Sequence, residues 1–404
     1  MNLVQRMRCA GAAGMAAMGV LCVVVLPGCG SDTSDPSAVK SLSGAAAAAF
    51  EKANPLHVSQ VTLVANVSGY GANRIDASLE NAWGIAITPT GIVWISSNHG
   101  GVSEVYDSNG NAKRSPVTIP TADSSGGGSP TGIVFNSSGD FANPATGEAG
   151  RFIFATEEGI IAAWGTGASA KVVVNRSGAG AVYKGLALAS NGDGRFLYAT
   201  NFHGGAVEVF DSHFNMVATP GFQDPGIPAG FAPFGIQTIH GNLFVTYAKQ
   251  KGPDNMDDEG GAGNGFVDVF TPGGKLITRF ASRGALNSPW GLTRVPEEGF
   301  RNLGDAILVG NFGDGRINIF SEDGRFRGQL ADSAGNPVTV PGLWALTFGP
   351  SQNNDSEGDG DSRGDESVSA PRLFFTAGPN DESDGIFGYF SGSRPHHHDE
   401  ESSD

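Results

Sequence analysis

Trp83-Gly84-Ile85, Thr131-Gly132-Ile133, Lys184-Gly185-Leu186, Phe234-Gly235-Ile236, Trp290-Gly291-Leu292 and Trp344-Ala345-Leu346 are six versions of one tripeptide. Each sets an aromatic or polar residue before a very small one and a branched aliphatic. The small residues follow one another at 48, 53, 50, 56 and 54 residues. A repeat near fifty residues whose apolar segments are strand-length matches the four-stranded blade of a β-propeller. The innermost strand of a blade crowds the axis, where a minimal side chain is required. Composition agrees: 61 glycines in 404 residues is about twice the usual ~7% share, and no long segment carries a helical period.

The third unit shows a whole blade. Residues 185–189 form a short apolar strand, Asn191-Gly192-Asp193-Gly194 is turn chemistry, and residues 196–200 form the second strand. Residues 206–210 alternate as a half-buried third strand, and 216–219 supply the outer edge. The fifth unit repeats this with 306–310, 316–320 and 325–330. The sixth has its second and third strands at 373–376 and 386–390, then turns polar without a fourth. A spare strand, residues 60–65, precedes the first unit. Pairing it with 386–390 would remove an open edge and bury one alternate set, either Val61, Leu63 and Ala65 or Thr62 and Val64. The fold class expected is therefore all-β, a six-bladed β-propeller over 58–392, its ring closed by an N-terminal strand completing the last blade.

Residues 1–28 read as a lipoprotein signal peptide: Arg6 and Arg8, an uncharged apolar stretch, then Leu26-Pro27-Gly28-Cys29, which resembles a lipobox with Cys29 as the lipidated residue. Plain secretion or an uncleaved anchor are the alternatives. Cys9 and Cys22 would leave with the signal, so the mature protein has no thiol for a disulfide, a zinc site or a nucleophile. Residues 29–57 read as a flexible tether and 393–404 as a disordered acidic and His-bearing tail. Removing Arg6 and Arg8 takes the formal charge from −16 to −18, which disfavours nucleic acid as a partner. The membrane is expected as a partner only through the lipid, placing the protein in the bacterial cell envelope.

The strings Asn81-Ala82-Trp83-Gly84-Ile85, Phe231-Ala232-Pro233-Phe234-Gly235-Ile236-Gln237, Val245-Thr246-Tyr247-Ala248-Lys249-Gln250, Asn287-Ser288-Pro289-Trp290-Gly291-Leu292 and Leu308-Val309-Gly310-Asn311-Phe312-Gly313-Asp314-Gly315 resemble a family of exported bacterial proteins associated with the PEP-CTERM sorting system. The resemblance spans roughly residues 58–392 and implies export and a propeller, without an activity. The polar end of the chain departs from members with a C-terminal sorting tail. More distantly the blades are similar to NHL-repeat and gluconolactonase-like propellers, an analogy of fold alone.

In such propellers the starts of innermost strands and the ends of second strands share one face around the axial tunnel. Aligned, the second-strand ends place Asn98, Glu157, Asn201, Tyr247, Asn311 and Ala377 together, with His99 and His203 close by. That ring could serve a sugar-like ligand or a divalent cation such as calcium, with Glu157, His99 and His203 as the metal candidates. The asparagines are equally ordinary turn residues, and the histidines equally solvated loop residues. Trp83, Trp290 and Trp344 are either packing between blades or an aromatic platform. The acidic segment 355–361 has calcium-loop composition without EF-hand spacing, 252–265 should hang over the ring face, and His396 to His398 could hold a metal weakly. No phosphate loop, His-Glu-x-x-His or haem motif occurs, so neither nucleotide nor haem is expected.

Two functions remain: a binding or scaffold module for a small molecule, glycan or protein, and a metal-assisted hydrolase of lactone or sugar-ester type at the tunnel mouth. A mouth plugged by aromatics favours the first, and converging metal ligands the second. The lipobox yields a test of anchoring. Cys29→Ser should move the protein from the membrane pellet to the soluble fraction with its melting temperature unchanged, and unchanged sedimentation would remove the lipid anchor.

Overall fold

Each tripeptide lies in the innermost strand of an antiparallel sheet, and six such sheets make up the described residues. The computed structural model describes residues 57–297, 300, 303–350 and 371–392. The signal segment 1–28, Cys29, the tether before His57, the acidic segment 355–361 and the tail 393–404 lie outside the described residues.

From the axis outward, blade 1 is Ala82–Ile87, Val93–Ser97, Val102–Tyr106 and Val117–Thr118. Blade 2 is Pro130–Phe135, Phe152–Thr156, Ile160–Trp164 and Lys171–Asn175. Blade 3 is Tyr183–Asn191, Gly194–Asn201, Ala206–Phe210 and Met216–Val217, so its outer edge is shorter than expected. Blade 4 is Phe231–Ile239, Asn242–Lys249, Gly265–Phe270 and Leu276–Ser282. Blade 5 is Pro289–Arg294, Ile307–Asn311, Ile317–Phe320 and Phe326–Gln329. Blade 6 is Leu343–Phe348, Leu373–Ala377, Ile386–Gly392 and Val58–Ala65, with Arg74–Ile75 added in parallel as a fifth strand that the sequence did not announce.

The register slips once in every innermost strand, at the small residue of the tripeptide: between Ala82 and Ile85, Pro130 and Ile133, Tyr183 and Gly185, Pro233 and Ile236, Pro289 and Leu292, Leu343 and Leu346. Such a bulge bends the strand and re-aims a side chain. Here it coincides with close backbone approach between blades. A methyl group on Gly291 would stand 2.5 Å from the Trp344 carbonyl, and on Gly185 2.9 Å from that of Phe234. Threonines of the second strands bridge the same gap. Thr200 Oγ1 accepts the Gly185 N–H and donates to the Phe234 carbonyl, both at 2.7 Å; Thr376 likewise joins Ala345 N–H to the Trp83 carbonyl.

Side chains between neighbouring sheets form one apolar cluster per blade interface, for example Trp94 with Ile133, Phe152 and Phe154 between blades 1 and 2. A separate aromatic cluster occupies the axis.

The ring closes as the sequence implied, with Gln60 opposite Phe390 and Ala65 opposite Ile386. Neither alternate set of the closing strand is buried alone. A bulge between Thr62 and Val64 breaks the alternation, so that Leu63, Val64 and Ala65 are all buried. Leu63 and Val64 pack with Phe374, Phe387 and Val93 toward blade 1, while Val58 packs with Phe300 and Leu330 toward blade 5. The closing strand therefore fills two interfaces. Burying four apolar side chains at roughly 1.5–3 kcal/mol for each large one is worth roughly 5 kcal/mol or more. A chain beginning at Val67 should melt roughly 10 °C or more below one beginning at Lys52, or fail to express solubly. Equal melting temperatures would show that this strand does not carry closure.

Candidate functional site

Four of the six residues that precede the small one are aromatic, Trp83, Phe234, Trp290 and Trp344, and they gather in one cluster at the axis. Trp83 and Trp344 stack face to face, 3.6 Å between ring centroids at 15°. Phe312 stacks on the other face of Trp344 at 4.0 Å, Trp290 meets both tryptophans edge-on, and Phe234 and Phe202 extend the cluster. Below it, the axis retains a cavity of about 50 Å³ lined by Ile85, Ile133, Leu186, Ile236, Leu292 and Leu346. The tryptophans are thus first of all a plug. Trp83 Nε1 is buried without a hydrogen-bond partner among the described residues, whereas Trp344 Nε1 donates to Asn81 Oδ1 at 2.8 Å and Trp290 Nε1 to the Lys184 carbonyl at 3.1 Å.

A polar layer covers the plug, built around Lys184. Its side chain is only 3% exposed, its Nζ stands 5.2 Å from the Trp83 ring centroid, and it binds Glu157 Oε1 at 2.5 Å and Asp257 Oδ1 at 3.2 Å. Burial alone would pull the ammonium down, but the two carboxylates outweigh it and hold Lys184 above the ordinary lysine range. Glu157 is completed by Asn98, whose Nδ2 donates to Oε2 at 3.0 Å. Asn98 Oδ1 in turn accepts from Asn81 Nδ2 at 3.3 Å, and the same nitrogen donates to Glu382 Oε2 at 2.6 Å.

Glu382 arrives from the loop between the second and third strands of blade 6. Its carboxyl is pushed up to about 7, chiefly by burial; Lys184 opposes the shift and Glu157 adds to it. The loop over residues 252–265 does hang above this face, as expected, since it delivers Asp257 to Lys184.

The structure brings together Trp83, Trp290, Trp344, Asn98 and Glu157, while His203 lines a neighbouring cavity with Glu157, and His99, Asn201 and Asn311 take no part in the hydrogen bonds of the layer. The register sets Ser97 and Thr156, not Asn98 and Glu157, at the positions equivalent to Asn201, Tyr247, Asn311 and Ala377. Alignment by residue type had placed blades 1 and 2 one residue out of phase. Asn201 and Asn311 are committed locally: Asn201 holds Glu208 and caps the backbone at Val182 and Gly204, and Asn311 binds the Ala285 carbonyl and Asp314. His99 is exposed, and His203 Nδ1 is bonded to the Asp254 carbonyl at 2.9 Å. No group of three or more His, Cys, Asp or Glu among the described residues is arranged to hold a metal, so Glu157, His99 and His203 do not form a donor set. The Lys184 ammonium instead supplies Glu157 with its counter-charge.

Lys184, Asn81, Asp257 and Glu382 were absent from the expected site. Lys184 had a signal, being the only charged residue among the six that precede the small one.

Glu104, buried in the third strand of blade 1, is also pushed up to about 7 by burial. Both carboxyls keep a proton in the fold that the unfolded chain releases near 4.5, so stability falls as pH climbs from about 4.5 to about 7 and then levels. The melting temperature should therefore drop between pH 5 and pH 7.5. Glu382→Gln and Glu104→Gln should each flatten that slope, and an unaltered slope in both would refute protonated carboxyls.

No protein-family model matches the chain. One uncharacterized protein of Acanthamoeba polyphaga mimivirus is 32% identical over 338 residues, 81% of this chain and 78% of its own length. A second from the same virus is 31% identical over 330 residues, 78% of this chain and 81% of its own. Among solved structures, virginiamycin B lyase from Staphylococcus aureus aligns at 13% identity with a TM-score of 0.48, over 83% of this chain and 99% of that one. The identity and coverage shared with the two viral proteins mean that the chain belongs to the same family as they do.

Proposed function

We propose that the chain is a recognition module that binds its ligand on the Lys184 face, and that it works in the cell envelope, exported by residues 1–28 and held through lipid on Cys29. The aromatic stack beneath the polar layer carries the reading of the face. It closes the axis and gives the layer a rigid, dry floor, on which Lys184, Glu157 and Asn98 are mutually satisfied. Groups whose charges and hydrogen bonds already balance are suited to fixed recognition, because a ligand meets a preorganised surface. A nucleophile with an adjacent base, or a convergent set of metal donors, would instead favour hydrolysis. The likeness of the repeated strings to exported bacterial propellers supports delivery to the envelope.

The reading is tested by thermal shift on the full chain with a panel of sugars, amino acids, amines and carboxylates. At least one compound should raise the melting temperature by about 2 °C or more near saturation, and Asp257→Asn, at an exposed side chain, should abolish or reduce that shift. A panel that never shifts the protein, or calcium-dependent turnover of lactones, would overturn it.

A further inference from the structure

On the Lys184 face, between blades 2 and 3, lies a second cavity of about 270 Å³. Ala181 and Val182 give it an apolar side, Met256 overhangs it from the loop over 252–265, and Glu157, Glu158 and His203 supply its polar edge. We propose that this cavity binds a small organic monocation, a primary ammonium on a short apolar or aromatic body. The inference rests on the face being a recognition surface and names the ligand class it takes.

Charge decides against an anion. Glu158 Oε1 accepts the Ser129 N–H at 2.8 Å, while its Oε2 is buried with no partner among the described residues. That oxygen is sealed from the cavity, so what favours a cation is the charge of the Glu158 carboxylate, which takes part in no ion pair among the described residues. The neighbouring cations are already engaged. Lys184 is held by Glu157 and Asp257, and Arg176, next to Ser177 on the cavity edge, turns to Glu208 at 3.4 Å.

His203 adds an acceptor. A carbonyl only accepts, so the contact of Nδ1 with the Asp254 carbonyl puts a hydrogen on Nδ1, and in that tautomer Nε2, beside Gly180, is the nitrogen left to accept.

Size and surface define the rest of the ligand. The volume lies just under the roughly 300 Å³ at which drug-sized sites begin, which suits a compact body. Met256 is 44% exposed, and its thioether is a soft, adaptable surface that favours aromatic contact. An ammonium facing the Glu157 and Glu158 side, with its ring under Met256, satisfies the charge and the apolar wall together.

Calorimetric titration of the full chain at pH 7.5 with phenethylammonium, 2-phenylethanol and 3-phenylpropionate separates charge from shape. The amine should bind at least about tenfold tighter than the alcohol, about 1.4 kcal/mol, and the carboxylate should give no heat. Glu158→Gln should weaken the amine about fivefold or more, and Met256→Ala, at an exposed position, about threefold. Equal affinities for amine and alcohol, or amine affinity untouched by both substitutions, would overturn the ligand class. If the amine fails while another compound of the broader panel still shifts the protein in an Asp257-dependent way, this inference falls and the recognition reading stands. If nothing in either set binds, both fall.

Discussion

Everything else in this propeller depends on how closely its innermost strands approach one another. At five of the six junctions the residue facing the next backbone is glycine, and an added methyl group would press on a carbonyl or amide of the neighbouring strand. Backbone groups held that close must find partners. The bulge at each small residue interrupts the ladder, and Thr200, Thr246 and Thr376 take up the freed N–H groups with their hydroxyls. Two of them also reach the carbonyl of the next blade, so that repair within one sheet becomes a bond to another. Crowding of the backbone thus fixes the small residue, the bulge and the residue sent toward the axis, and the aromatic plug follows from what stands at that last position.

That chain of causes explains why the architecture was legible. Glycine spacing is a direct record of axial crowding, and a missing fourth strand beside a spare one leaves a single economical pairing. The detail of the closing strand was less accessible, because a strict period of two assigned its burial and a bulge between Thr62 and Val64 set that period aside. The site was legible only where one strand position carried it. Asn98 and Glu157 were found through residue type in spite of a wrong register, since either residue reaches the polar layer from the hairpin end. Glu382 and Asp257 come from loops that have no counterpart in other blades, so no repeat could align them. Asn81 looked like part of a sequence string, yet it joins Asn98 of blade 1 to Trp344 and Glu382 of blade 6.

The electrostatics of the layer have a simple logic. A lone ammonium as buried as Lys184 would be strongly disfavoured above an aromatic floor, and the carboxylates of Glu157 and Asp257 reverse that preference. One lysine is then shared between two acids, and a third, Glu382, lies close enough to feel all of them. The surplus of negative groups is accommodated by pushing the Glu382 carboxyl up to about 7 rather than by adding a cation. A face balanced in this way holds its geometry without a ligand and still presents more acceptors than donors at its edge.

Closure and site are parts of one network. The closing strand ends at Ala65, and the next residue, Asn66, binds the Gly385 N–H and the Ser383 carbonyl at the end of the blade 6 loop. Within that loop Asn380, Asp381 and Glu382 all have positive φ, at 56°, 50° and 64°. Successive left-handed residues are disfavoured, typically by about 1–2 kcal/mol each for ordinary side chains, and persist only where surroundings over-determine them. Here the backbone bonds from Ser383 to Asn380 and from Asp384 to Pro379 hold the turn from within, while Asn66 and the Asn81 N–H, which donates to the Asp384 carbonyl, hold it from outside. The strained turn places Glu382 on Asn81, and Asn81 fixes the indole of Trp344 at the centre of the plug. The strand that closes the ring therefore also orients the aromatic floor beneath Lys184, which is why a propeller open at this junction would lose the polar layer along with its edge.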